Sequence, residues 1–548
     1  MEERMSDTVP PRPAAGEEAQ AGAGDCPDIA MPRPRRVVAV IEIGSTGIRL
    51  VVAQVEASGD FQVIDRAGKP ARIGRDVFTS GSVSREAMRE SIAILVAFRE
   101  LIASYGLEPG EVRVIATSAL REAENRDTFV DRVFLQTGFR VSIIEDIEEN
   151  HFMYLAVQRA LHEDERRFLS RSNAMILEVG GGSTEIMLLR RGRMAAAHSL
   201  RIGTIRVDEL IRGSGSAPEF LHQFLEDNVR TACDVLDREL PLDTVKSFIL
   251  VGSDARLAAA RVAAESRGDY AVIERETFIK FADEVASLSI EDCVARLRVP
   301  WSEAESLGPG LSIERAFLER TGAERVVVPN VSIREGILLT ASRGPDPEHE
   351  EEMRRQIVAS ASSLGRKFHF DESHARQVAE LSLGLFDALS REHGLGPRAR
   401  ILLEVAALLH DIGTFIKASG HHKHSEYLIL NSEIFGLNRS ELVVVANVAR
   451  YHRKQPPSQA HVNYIALPRE DRIAVLKLAA ILRVADALDR GHDQRVGEAS
   501  FERREDRLVI RAEDTGSSGP IDFSLERLSL AEKGDMFEEV FGLEAVLA

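Results

Sequence analysis

Cysteine is scarce in this chain: three residues in 548, Cys26, Cys233 and Cys293, scattered without ligand-type spacing. That pattern excludes a disulfide-stapled fold and a cysteine-based zinc site, and it fits a reducing compartment. Long apolar runs are missing too, and the N-terminus lacks an apolar signal core. The expectation is a cytoplasmic protein with no membrane partner. Positive charge is in deficit, with a formal net charge of −18. Broad nucleic-acid binding is therefore disfavoured, and a polyanionic ligand would need a local basic lane. Arg49, Arg121, the run His421-His422-Lys423-His424 and the run Tyr451-His452-Arg453-Lys454 are the candidates for one. What is present, 44% hydrophobic and 28% charged residues, is the composition of a globular chain long enough for three or four domains.

Within it, MILEVGGGSTEIMLL (Met175 to Leu189) carries an apolar run to Glu178, breaks at Gly180, Gly181 and Gly182, presents Ser183 and Thr184, and returns to an apolar run. This reads as strand, tight turn, strand. Residues without Cβ let backbone N–H groups crowd an anion, hydroxyls add donors, and an acidic residue on the lip suits magnesium. A plain glycine-rich hairpin would look the same. However, VVAVIEIGSTGIRLVVAQV (Val37 to Val55) repeats the arrangement with Glu42, then Gly44, Ser45, Thr46 and Gly47, then Arg49. Two such loops could grip a phosphate chain from both sides, whereas unrelated hairpins have no reason to share an acidic lip.

Along the chain, residues 1–35 read as a disordered tail rich in Ala, Pro, Gly, Glu and Arg. A helix from Ser84 to Tyr105 and a strand from Val112 to Ala116 precede Arg121, a guanidinium placed for phosphate oxygens or, more blandly, paired with Glu122 or Glu124. After the strand Val141–Ile144, Asp146 and Glu149 have capping-box spacing. That would occupy Glu149 and leave Glu148 free to accept a hydrogen bond from an attacking water. LVGSDARLA carries Gly252 and Ser253 followed by the acid Asp254, and SIREGIL should form a helix. The hydrophilic stretch Gly344–Glu352 reads as a linker. Helices are expected over Glu372–Glu392, Arg398–Ile416, His424–Ser432, Ser440–Tyr451 and Asp471–Asp489, then strands over Gly497–Arg503 and Arg507–Ala512 and a terminal helix.

IEIGSTGIRL, ATSALREAENRDTF, IEDIEENHFMYLAV, LEVGGGSTE, SIREGIL, LLHDIG, HHKHSEYLI, RYHRK and LRVADALDR, in this order, resemble the exopolyphosphatase and guanosine pentaphosphate phosphohydrolase (Ppx/GppA) family. Glu42 and Glu178 stand where that family carries Asp. The resemblance implies an α/β fold with two ribonuclease-H-like halves, of the actin, heat-shock chaperone and sugar kinase superfamily, around a cleft. An all-α HD-type domain and a small C-terminal α+β subdomain would follow. The expected boundaries are 36–165 and 166–343 for the halves, 353–492 for the helical domain and 493–548 for the C-terminal part.

The resemblance further implies hydrolysis of terminal phosphate from inorganic polyphosphate, with guanosine pentaphosphate as a second substrate, by a homodimer. In that reading Glu148 and Arg121 are catalytic, while Gly44, Ser45, Thr46, Gly47, Arg49, Gly180, Gly181, Gly182, Ser183 and Thr184 bind phosphate. Glu42 and Glu178 hold magnesium. His374, His410, Asp411 and Asp486 would ligate a divalent metal in the HD-type domain, with His424 and His452 as further ligands. Two alternatives remain beside it: a weakly or non-catalytic regulator that binds polyphosphate or an alarmone, and a nucleotide phosphohydrolase acting through the HD-type domain.

Overall fold

The computed structural model describes residues 36–56, 59–214, 218–342, 347–514 and 522–548. The tail expected over 1–35 lies outside the described residues. The apolar runs flanking the two glycine turns form antiparallel strand pairs, β1 (Arg36–Ile43) with β2 (Gly47–Val55) and β6 (Asn173–Val179) with β7 (Thr184–Arg190). Each pair extends in the same way. In the first half, β3 (Phe61–Pro70) adds antiparallel to β2, while β4 (Arg113–Ala116) and β5 (Val141–Ile143) run parallel to β1, giving the order β3-β2-β1-β4-β5. In the second, β8 (Arg193–Leu200), β9 (Val245–Val251) and β12 (Arg325–Pro329) take the corresponding places. Short strands β10 (Glu265–Arg267) and β11 (Tyr270–Glu274) lengthen that sheet. The two halves therefore share one strand order, as the resemblance implies.

Two helices, Asp146–Ala160 and Ile333–Ser342, are apolar on most faces and fill the space between the halves, where Met153, Leu155, Val157, Ile337 and Leu338 join one core. They cross closely at Gly336, where any Cβ would overlap the Phe152 carbonyl oxygen. From residue 347 the chain is helical. The structure departs from the expected linker, because Pro347–Lys367 is a helix. Ile357, Ala361 and Leu364 recur on one buried face of it.

Further helices span Glu372–Ala388, Pro397–Leu409, His421–Leu430, Arg439–Arg450 and Arg469–Leu488. The single helix expected over Arg398–Ile416 is broken: it ends at Leu409, and a 3-10 turn over Ile412–Phe415 follows. The helix expected from His424 starts at His421, directly after left-handed Gly420. At the C-terminus β13 (Val496–Arg504) and β14 (Arg507–Asp514) form a hairpin, and two helices, Ser524–Lys533 and Asp535–Phe541, replace the one expected. A last strand, β15 (Glu544–Leu547), lies parallel to β14.

Because Gly336 admits no side chain at this crossing, Gly336→Ala should push the two central helices apart and cost about 1–3 kcal/mol. Urea unfolding measures this, and wild-type stability in the variant would refute the crossing.

Candidate active site

Each glycine turn closes with the same bond. Gly44 N–H donates to the Gly47 carbonyl (3.0 Å) and Gly180 N–H to the Ser183 carbonyl (2.8 Å). Turn carbonyls, which would repel an anion, are engaged elsewhere. Ser45 O accepts from Gly74 N–H (3.0 Å), Thr46 O from Ala71 N–H (3.2 Å), and Gly180 O and Gly181 O from Thr204 and Ile205 N–H (both 2.9 Å). Arg206 Nε takes Gly182 O at 2.7 Å. The two turns abut: a Cβ on Gly181 would lie 3.0 Å from Ser45 Cβ and 3.1 Å from Thr46 Cγ2. One on Gly182 would run into Phe78 and come within 2.8 Å of Ser118 Oγ. Only glycine permits this approach.

Between the turns opens a cleft of about 430 Å3. Gly44, Ser45, Thr46, Gly47 and Arg49 line it from the first half, and Gly180, Gly181 and Ser183 from the second. Gly182 instead packs against Phe78, and Thr184 is fully buried with its hydroxyl donated to Ile202 O (2.5 Å). The expectation that Thr184 binds phosphate is therefore corrected: as the first residue of β7 it points into the protein. Glu42 and Glu178 occupy equivalent sites two residues before each turn. Glu42 lies 3.0 Å from Arg334 and 4.0 Å from Arg49. Burial, then the charges of Glu149 and Glu42, push Glu178 up to about 8.

The glutamate expectation is off by one residue. The helix N-cap is Glu145, so Glu148 occupies the third helical position and its Oε2 accepts the Glu145 N–H at 3.1 Å. Glu148 therefore does the capping that the sequence assigned to Glu149. Glu149, on the same face as Phe152 and Met153, lines the cleft, and its Oε2 is buried without a hydrogen-bond partner. Burial pushes Glu149 up to about 7; Arg121, at 3.6 Å, opposes the shift and Glu42 adds to it. Arg121 also holds Ile144 O (2.6 Å) and pairs with Asp146. It thus sits behind Glu149 rather than facing the cleft, and also away from the Glu122 or Glu124 pairing the sequence offered. Carboxylate oxygens of Asp146, Glu149 and Glu185 lie within 4.8 Å of one another.

The cations that do line the cleft are Arg49, Lys69, Arg256 and Arg334. The last three were missed, although Arg256 and Arg334 each follow small residues at a helix start in quoted motifs, GSDAR and SIREG. Arg256 also donates to Val331 O at 3.0 Å. Asp254 is buried, and burial pushes it up to about 7. Partial protonation near neutral pH weakens the repulsion its sequence position suggested.

A second constellation forms where the helix breaks at His410 and Asp411. Nε2 of His374 lies 3.7 Å from Asp486 Oδ1 and 3.3 Å from His410 Nε2. Asp411 Oδ1 is 3.8 Å from His410 Nε2, 3.0 Å from His421 Nε2 and 3.5 Å from His452 Nε2. His421 therefore takes the place expected for His424, because the helix starts three residues earlier and turns His421 inward. His410, His421 and His452 each direct Nδ1 to the carbonyl three residues back, at 2.7, 2.9 and 2.6 Å. His374 Nδ1 donates to Asp489 Oδ2 at 2.8 Å. Lys533, from the C-terminal part, pairs with Asp486.

Residues 51–343 match the Ppx/GppA phosphatase family, and residues 355–515 match Ppx/GppA phosphatase, domain III. A guanosine-5'-triphosphate,3'-diphosphate pyrophosphatase of Photobacterium profundum is 25% identical over 462 residues, covering 81% of this chain and 86% of the relative. One from Pseudoalteromonas translucida is 23% identical over 506 residues, covering 88% and 93%. Among solved structures, an exopolyphosphatase from Cytophaga hutchinsonii shares the fold at a TM-score of 0.50 and 17% identity, covering 56% of this chain and 98% of that one. Among the described residues no helix is long and apolar enough to cross a membrane.

Glu149, Glu178 and Asp254 fold best as neutral acids, so raising the pH from 6 to 8 ionises them against raised folded-state pKa values and lowers stability. Carboxylates held low, such as Glu239 and Glu335, are ionised throughout this window and add no slope. In metal-free buffer the melting temperature should fall by several degrees between pH 6 and 8, magnesium should restore it, and Glu178→Gln should flatten the fall. An unchanged slope in that variant would show that the cleft carboxyls are not the cause.

Proposed function

The chain belongs to the Ppx/GppA phosphatase family, and from that premise we propose that its cleft hydrolyses the terminal phosphoanhydride of an oligophosphate chain. Phosphoanhydride hydrolysis is the activity in the names of its relatives. The observation that carries the finer reading is the buried, cleft-lining Oε2 of Glu149, which accepts no hydrogen bond and lies 3.6 Å from Arg121, beside two abutting glycine turns. The turn amides with Ser45, Thr46 and Ser183 hold the terminal phosphoryl group, and Arg49, Arg256 and Arg334 balance its charge. Glu149, oriented by Arg121, takes a proton from the attacking water.

The carboxylates of Glu42 and Glu178 are hard oxygen donors lining one cleft, where burial raises the proton affinity of Glu178, and they fit magnesium. Magnesium, when bound, neutralises charge developing on phosphoryl and leaving oxygens.

Inorganic polyphosphate and guanosine 5'-triphosphate 3'-diphosphate are the proposed substrates. The nucleotide is supported by a second cavity of about 480 Å3 that shares Ser45, Thr46 and Thr204 with the cleft. On its wall stands the chain's one tryptophan, half-exposed Trp301, a face on which a base can stack.

Glu149→Gln should lower kcat by about 10²–10⁴ with little change in KM, and should remove an acid limb near pH 7. Retained phosphate release in that variant would end the general-base assignment. Binding without turnover in the wild-type protein would instead favour the regulatory alternative. Trp301→Ala should raise KM for the nucleotide by roughly tenfold and leave inorganic polyphosphate unchanged. Equal effects on both substrates would refute the base subsite.

A second reading concerns the HD-type cluster. With Nδ1–H given to carbonyls, the Nε2 lone pairs of His421 and His452 face each other at 3.3 Å, an arrangement that a cation between them relieves. The histidine and aspartate donors fit a borderline divalent ion, which His374, His410 and Asp486, or Asp411, His421 and His452, would hold. Elemental analysis should find bound divalent metal in the wild-type protein and in Glu149→Gln, and its loss in Asp411→Ala. Metal retained in Asp411→Ala would refute the site. If Asp411→Ala also abolished nucleotide hydrolysis that Glu149→Gln spares, the chemistry would belong to this second site.

A further inference from the structure

The end of the second sheet remote from the cleft holds a cavity of about 490 Å3, between the β7–β8 turn and the Pro347–Lys367 and Glu372–Ala388 helices. Arg190, Arg191 and Arg193 line it from the turn; Arg354, Arg355, Arg366 and Arg376 line it from the helices. This concentration occurs in a chain of net charge −18. Four carboxylates serve five of the seven guanidinium groups, and none of the four lines the cavity. Glu352 takes Arg193 (3.1 Å), Glu404 takes Arg354 (2.7 Å), Glu351 takes Arg355 (3.0 Å), and Glu372 is shared by Arg366 (2.8 Å) and Arg376 (2.6 Å).

Arg190 reaches only the Glu239 carbonyl oxygen (2.8 Å). Arg191 shows no hydrogen bond or ion pair among the described residues and is held at φ 50°. The excess charge is therefore concentrated at the turn. The remaining wall combines Met194, Ala195, Val358 and Ala359 with the hydroxyls of Ser362 and Ser363, and none of these is acidic.

We propose that this cavity is a second anion site that takes an oligophosphate segment. Guanidinium groups match phosphate oxygens in paired contacts, and arginines converging from two directions suit a chain of several phosphates better than a single one. The seven residues of β7 separate this turn from the glycine turn, about 20 Å at roughly 3.3 Å per residue. A short oligophosphate therefore fills one site or the other, and a long polymer can engage both. The occupied site ties the second α/β half to the helix that leads into the helical region. It goes beyond the cleft chemistry and stands independently of it.

The test uses the full-length protein with inorganic tripolyphosphate, long-chain polyphosphate and GTP as separate probes. Hydrogen exchange reads residues 190–194 and 354–363, and calorimetry reads affinity. In the wild-type protein millimolar tripolyphosphate should slow exchange in both segments. The combination Arg191→Asn, Arg355→Gln and Arg376→Gln should abolish that protection and weaken binding at this site by about tenfold. Phosphate release from a short substrate should stay unchanged. A matching combination with Lys at the three positions keeps the charge and should bind at intermediate strength, which separates lost binding from lost structure. Protection by GTP alone would assign the site to nucleotide phosphates, and protection by tripolyphosphate to inorganic chains. Absence of protection by all three probes in the wild-type protein would overturn the proposal, as would undiminished protection in the Asn/Gln combination.

Discussion

Two backbone turns in van der Waals contact dictate most of what surrounds them. Gly181 lies where any side chain would press on Ser45 and Thr46, and this closeness brings the acidic lips of both hairpins to one cleft. Glu42, Glu178 and Glu149 are thereby held near one another with little water to screen them, so ionising one raises the cost of ionising the next. The raised proton affinities of Glu149 and Glu178 follow from burial and that enforced proximity, and Arg256 and Arg334 line the same cleft. The same contact turns the carbonyls of both turns outward to backbone partners, so the faces they present to an anion are rich in N–H groups.

The helix between the halves decides which acid is available. Its first turn must satisfy unpaired N–H groups, and one glutamate is consumed in doing so. With Glu145 at the N-cap, Glu148 serves the cap and Glu149 is rotated onto the buried face. Arg121 completes the arrangement from behind, bonded to Asp146 and within 3.6 Å of Glu149, so the acid is both desolvated and held in place.

In the helical region a broken helix plays the corresponding part. The stop after Leu409 gives Asp411 a conformation outside the helix, and from there its Oδ1 comes within reach of the adjacent His410 and of histidines on two other segments, His421 and His452. Carbonyls fix the ring nitrogens of His410, His421 and His452 before any ligand arrives, as outer-shell bonds do around metals. Lys533 on Asp486 connects the C-terminal part to the same cluster, which gives those last residues a stake in its electrostatics.

The sequence by itself determined the strand-turn-strand character of both hairpins, their correspondence, and the place of Glu42 and Glu178 on their acidic lips. Alternating and continuous apolar runs, glycine spacing and residue type are local properties, and local physics reads them. Only the tertiary structure decided between Glu148 and Glu149 and between His421 and His424. One residue along a helix is a rotation of about 100°, and where a helix begins depends on a cap whose strength is close to that of its neighbours. It also decided the charge state of Asp254 and the burial of Thr184, because desolvation depends on what packs against a group from distant parts of the chain.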